Sequence, residues 1–148
     1  MTDDVNRSLI IENERIFATD PTTLFAAFSD PARLEKWWGP HGFTNRIKRF
    51  DFVNGGTWVV VMTSSADTDF ENHWTFEDIR PGERITVFHH GPMHAFGLEI
   101  GFHETQAGTR LTWRMSFEDT DDNREIEKFL SAANEQNFDR LEALLSDM

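Results

Sequence analysis

The sequence predicts an α+β fold in which a wide, concave antiparallel sheet wraps one long C-terminal helix, with two short helices after the first strand. Three observations predict it. Residues Asp122 to Leu145 hold a helical apolar period with no Gly or Pro to break it. From Phe43 the apolar period is two. Short turn-forming links separate the period-two segments, and short links between successive strands make an antiparallel meander.

The elements follow in order. Leu9 to Phe17 alternates branched and charged residues, as an edge strand does. Asp20-Pro21 and Asp30-Pro31 each set a capping carboxylate before a proline at the first helical position. They predict helices over Pro21 to Phe28 and Pro31 to Trp38, both too short to stand without packing on the sheet. Gly39-Pro40-His41-Gly42 ends the second. Strands are expected near Phe43 to Val53, Thr57 to Thr63, Phe70 to Ile79, Arg84 to His89, His94 to His103 and Arg110 to Phe117. Their parity puts Trp58, Val60, Met62, Trp74, Phe76, Ile85, Val87, Phe96, Leu98, Ile100, Phe102, Leu111, Trp113 and Met115 on one face. Pairing Val87 with Phe96 and Ile85 with Leu98 predicts His89 opposite His94 across a four-residue loop. In the last segment, Asp122 reads as the N-cap with Glu125 as its capping-box partner. The stripe Ile126, Phe129, Leu130, Ala133, Phe138, Leu141, Leu144 and Leu145 faces the sheet. About 24 residues at ~1.5 Å each span roughly 36 Å, a whole small domain.

Length and composition narrow the function. One domain over residues 1–148 is expected, large enough to bury a core without staples. The formal charge of −12 disfavours nucleic acid and anionic membranes as partners. With no cysteine there is no disulfide and no thiolate nucleophile. The start Met1-Thr2-Asp3-Asp4 and the absence of a long apolar run point to a cytoplasmic protein without a membrane span. There are 14 Phe and 5 Trp but no Tyr, so the aromatic content serves packing and stacking rather than phenol chemistry.

Several stretches carry a resemblance. Asp20-Pro21 through Phe28, Asp30-Pro31, Trp37-Trp38-Gly39-Pro40-His41-Gly42-Phe43 and Phe50-Asp51-Phe52-Val53-Asn54-Gly55-Gly56 resemble the START-like helix-grip superfamily, also called SRPBCC. Within it, Glu77 to Ile85 and Gly108 to Thr112 resemble the branch named for the activator of heat shock protein 90 ATPase. The resemblance covers residues 9 to 146. It implies a sheet gripping the C-terminal helix around an apolar cavity, with roles from lipid or hormone binding to polyketide cyclisation, and a co-chaperone role in the branch's name. The chain departs from many relatives in having Ala133-Asn134 where they carry Gly-Trp, and Val53 where they carry arginine.

The concave face therefore predicts a ligand-sized gap, because bulky indoles on a curved wall are hard to close-pack. The candidate binding residues are Trp58, Met62, Trp74, Phe76, His89, Phe96, Trp113, Asn134 and Phe138, with Trp38 and Phe43 near an entrance. Tryptophans would supply stacking area, and His89 and Asn134 would orient a polar end. The expected occupant is a small hydrophobic or aromatic molecule. A co-chaperone-like partner protein or a homodimer is the alternative, and a cyclase- or hydrolase-like use of the cavity is a third. No cofactor, metal site or catalytic set is predicted. Only His89 and His94 can converge among the six histidines, and no inward carboxylate joins them. No serine lies in a nucleophile elbow. His73, opposite in parity to Trp74, is expected in solvent.

Overall fold

The computed structural model describes residues 9–147. The chain runs β1 (Leu9–Phe17), α1 (Pro21–Ser29), α2 (Pro31–Trp37), β2 (Thr44–Phe50), β3 (Thr57–Thr63), β4 (Asp69–Arg80), β5 (Arg84–Gly91), β6 (Phe96–Thr105), β7 (Gly108–Phe117) and α3 (Asp121–Ser146). Every sheet pairing is antiparallel, in the order β1-β7-β6-β5-β4-β3-β2. Strands β2 to β7 form the meander that their short links dictate. The curved sheet packs one face on α3 and the two short helices.

The local chemistry explains the boundaries. Asp20 caps α1 by accepting from the Thr23 amide at 2.7 Å, and Asp30 caps α2 by accepting from the Ala32 amide at 3.0 Å. The first of these bonds also holds the Asp20 carboxyl below its ordinary pKa. Gly56 is obligatory, since a Cβ there would lie 2.0 Å from the Asp51 carbonyl oxygen. Gly108 opens β7 at φ +135 with a would-be Cβ 2.1 Å from the Phe17 carbonyl oxygen. That close approach lets β1 pair with β7 along its whole length.

Four sequence expectations are corrected. The N-cap of α3 is Thr120, whose hydroxyl accepts from the Asn123 amide at 3.1 Å; Asp122 lies inside the first turn, where its charge suits the helix dipole. The β5–β6 register is two residues further along: Val87 pairs with Leu98, Ile85 with Ile100 and His89 with Phe96. Parity survives a two-residue shift, so the inward face is unchanged. The extra residues form a wider turn because Pro92 has no N–H for a ladder and Met93 takes φ +70. His94 therefore lies in that turn and not opposite His89. Finally, Phe129 is 76% exposed. Ile126 and Leu130 meet the core on this half of α3, and Phe129, roughly 100° round the helix from Leu130, falls outside a stripe that is narrower than expected.

β2 is also shorter than expected. It ends at Phe50, and Asp51 to Gly56 turn back through the hydrogen bonds Asp51 N–H to Thr57 O and Gly56 N–H to Val53 O. A bulge at Glu77 resets the parity of β4, so that Ile79 pairs with Ile85.

Candidate functional site

The inward faces of β3, β4, β6 and β7 build an aromatic wall. Trp58 stacks on Trp74 (centroids 5.1 Å, 19°) and lies parallel to Phe76 (6.0 Å, 5°), as cross-strand neighbours of a twisted sheet can. Trp113 on β7 meets Phe138 of α3 edge-on at 5.6 Å. Into the space between wall and helix comes Trp38, the C-cap residue of α2. Its ring touches all four other tryptophans, with centroids 5.4 Å from Trp37, 4.9 Å from Trp58, 5.8 Å from Trp74 and 5.6 Å from Trp113.

The ligand-sized gap expected from the sequence is not open. The space left beside Trp38, Trp58, Phe50, Phe52, Phe76 and Val87 is about 10 Å³, close to the room one water needs. Edge-to-face packing is the reason: Phe28 on Trp37, Trp38 on Trp58 and Phe52 on Phe76 all interlock at 68–81°. Phe50 and Phe52, which sequence reasoning left out of the site, supply much of this filling. Their one-residue alternation around Asp51 was the available signal.

This filling leaves one chemical mismatch. The indole N–H groups of Trp58, Trp74 and Trp113 are buried and have no hydrogen-bond partner. Trp37, by contrast, donates to the Ala27 carbonyl at 2.9 Å. Buried donors in native proteins nearly always find an acceptor, and leaving one unmet costs roughly 1–3 kcal/mol. Neighbouring rings offer only the weaker N–H···π contact.

At the other end of the wall His89 is buried between Trp74 (4.6 Å) and Phe96 (4.7 Å). Its Nδ1 lies 2.7 Å from the His94 carbonyl oxygen and its Nε2 lies 2.7 Å from the Asn72 side-chain oxygen. Burial pushes the His89 pKa below the ordinary imidazole value, against the pull of the His94 carbonyl; the neighbouring His90, His94 and His73 push it the same way as burial. The His94 ring turns away to α3, with Nδ1 2.8 Å from the Asn123 side-chain oxygen. The two imidazoles do not converge on a shared point, and among the described residues no group of three His, Asp or Glu is placed to hold a metal ion. His73 is exposed beside Glu71 at 2.9 Å.

Asn134 is buried on α3, and its amide donates to the Asn13 side-chain oxygen at 3.0 Å and approaches the Met115 sulfur at 3.3 Å. Met62 and Phe43 are half-buried beneath and beside Gly39, whose would-be Cβ would sit 2.7 Å from the Met62 methyl and 3.4 Å from the Phe43 Cβ. The Phe43 ring lies 6.4 Å from that of Phe70. The structure thus brings Trp38, Trp58, Trp74, Phe76, Trp113 and Phe138 into one cluster. His89 and Phe96 extend it at one end, and Met62 and Phe43 flank the segment after α2.

That segment is tied down by one helix. Arg140 of α3 donates through Nη1 to the carbonyls of Trp38, Gly39 and Pro40, each at 3.0 Å, and through Nη2 to Lys36 at 3.3 Å. The side-chain oxygen of Asn137 accepts from the Gly39 amide at 2.9 Å, and that of Gln136 from the His41 amide at 3.0 Å. Burial lowers the Arg140 pKa, yet a guanidinium stays charged in proteins. Arg140 and Gln136 are contacts that sequence reasoning missed, because their carbonyl and amide partners lie about 100 residues away.

Residues 18–146 match the family model described as Activator of Hsp90 ATPase homolog 1-like protein. The chain belongs to this family. Solved structures share its fold. A protein of Arthrobacter aurescens superposes with TM-score 0.83 at 22% identity, covering 100% of this chain and 91% of that one. One of Nitrosomonas europaea gives 0.81 at 20% identity, covering 99% and 97%. One of Chromobacterium violaceum gives 0.79 at 23% identity, covering 92% and 96%. No curated protein matches the sequence. Family and fold are compatible with ligand binding or a co-chaperone-like role. No helix among the described residues is long and apolar enough to cross a membrane.

Proposed function

We propose that this protein binds a small, largely apolar or aromatic molecule between the sheet and α3, without catalysis. The observation that carries the reading is the trio of buried, unpartnered indole N–H groups on Trp58, Trp74 and Trp113. A core built only for stability is best served by apolar side chains or satisfied donors. Donors with no protein partner in an otherwise apolar chamber suit a guest that brings an acceptor. Trp58, Trp74, Phe76, Trp113 and Phe138 form the stacking surface, and Trp38, Phe43 and Met62 lie on the side from which a guest enters. His89 and Phe96 bound the stacking surface at the Trp74 end, and Asn134 lies on α3 beside Met115. Absence of catalysis fits the histidines: both ring nitrogens of His89 and Nδ1 of His94 already face protein oxygens.

A co-chaperone-like partner has less support. The large exposed apolar side chains Ile16, Val53, Met93 and Phe129 are spread over β1, the β2–β3 turn, the β5–β6 turn and α3. The test uses the neutral probe N-phenyl-1-naphthylamine, whose fluorescence rises in apolar surroundings. Saturable one-to-one binding, seen by fluorescence and as a mass increment in native mass spectrometry, is the expected result. No complex at probe concentrations approaching ~1 mM would overturn the reading, since affinity weaker than that is below any specific pocket of this kind.

A further inference from the structure

We infer that the Trp38 side chain is the resident occupant of the binding chamber, and that a flat aromatic molecule of about its size, carrying a carbonyl-type acceptor, displaces it. The inference rests on the ligand-binding reading and names both the ligand class and the device that admits it.

Position comes first. Trp38 is the ring that contacts Trp58, Trp74 and Trp113 together, and it borders the residual void. The three N–H groups without partners sit on those same three rings. An indole is a donor only and offers no lone pair to a neighbouring N–H. Trp38 thus fits the chamber in shape and mismatches it in hydrogen bonding. A guest of similar outline with a carbonyl oxygen keeps the edge-to-face packing and adds the missing acceptor, whose two lone pairs serve up to two of the donors.

The chain around Trp38 is built to move as a piece. Gly39 (φ +94) and Gly42 (φ +88) bracket Pro40 and His41, conformations that glycine adopts without strain. The segment is fastened to the rest of the molecule by polar contacts: the Asn137, Gln136 and Arg140 bonds to α3, and the Asn45 amide donating to the Trp38 carbonyl at 2.7 Å. Pro40 and His41 are at the surface, half-buried and exposed respectively. Water can replace the exposed Gln136 bond and the half-buried Arg140 bonds one by one as the segment lifts, and the buried Asn137 bond to Gly39 breaks as Trp38 withdraws. Lifting residues 38 to 42 withdraws one indole and opens a space of its own size.

The experiment compares indan-1-one with indane, bicyclic molecules that differ by the carbonyl, on protein labelled with 5-fluorotryptophan. Five fluorine resonances are expected, one per tryptophan, with Trp38 assigned from Trp38→Phe. The expected result is tighter binding of indan-1-one than indane, by on the order of tenfold for one well-made hydrogen bond. Saturation should also move the Trp38 resonance to a solvent-exposed shift. Binding of either molecule or of the naphthylamine probe with Trp38 still buried, or with no preference for the carbonyl, overturns the displacement and leaves the ligand-binding reading standing. No binding of any of the three, to the wild type or to Trp38→Ala, overturns both.

Discussion

Arg140→Met isolates the fastening of the segment after α2. Methionine keeps most of the aliphatic stem and removes only the guanidinium. Nη1 has two hydrogens facing three carbonyl oxygens at 3.0 Å, and Nη2 adds a longer bond at 3.3 Å, so the side chain makes about two full hydrogen bonds' worth of contact. A charge-assisted bond contributes ~1.5–3 kcal/mol when dry, but these bonds are only part-buried and the half-buried Pro40 and exposed Lys36 admit water beside them. About 1–1.5 kcal/mol for each of two bonds gives a loss of ~2–3 kcal/mol. For a domain of this size each kcal/mol is worth ~2–4 °C, so the melting temperature should fall by roughly 4–12 °C. Differential scanning calorimetry measures this. Acrylamide quenching of tryptophan fluorescence at 25 °C should rise in the same variant, because Trp38 spends more time out of the core. A melting temperature within about 1 °C of wild type, with quenching unchanged, would refute the assignment of Arg140 as the fastening.

The other predictions concern the core, a turn and the buried histidine. Phe138→Ala removes a fully buried ring that packs on Phe17 and Trp113, and should cost ~3–5 kcal/mol in urea unfolding with little change in m-value. Gly108→Ala places a Cβ 2.1 Å from the Phe17 carbonyl oxygen at φ +135 and should destabilise by at least ~2 kcal/mol; an unaltered denaturation midpoint would mean the approach of the β6–β7 turn to β1 is looser than its geometry indicates. Asn72→Asp sets a carboxylate 2.7 Å from His89 Nε2 and should raise the His89 pKa, because the neighbouring negative charge favours the imidazolium, read from the ring C2 proton by NMR titration. In the wild type, burial depresses that pKa in the folded state, so on acidification the unfolded chain takes the proton first. The stability that neutral His89 contributes is therefore fully present above about pH 6.5 and declines below it towards the folded-state pKa. Urea midpoints at pH 7.5 and 5.5 should show a smaller difference in His89→Gln than in wild type.

The sequence by itself determined the elements, their order, the inward face and the family. Proline after Asp20 and Asp30 marks two helix starts wherever the helices pack, and alternation along Gly108–Phe117 marks a half-buried strand whatever lies across from it. These are near-neighbour effects, set by backbone sterics, capping and period. A two-residue register error between β5 and β6 left the inward set intact for the same reason, since parity repeats every second residue. What tertiary structure alone decided is how the inward side chains share space. Trp38 was legible as an aromatic beside a helix stop, but its place among Trp58, Trp74 and Trp113 depends on strands 20 to 75 residues away in the chain. The sequence predicted a gap because it counts bulky rings; the fold closes it because edge-to-face angles let those rings interlock. Phe129 and Asn134 make the same point on α3: helical period placed both at or beside the buried stripe, and only the width of the sheet beneath put the phenyl ring in water and the amide in the core.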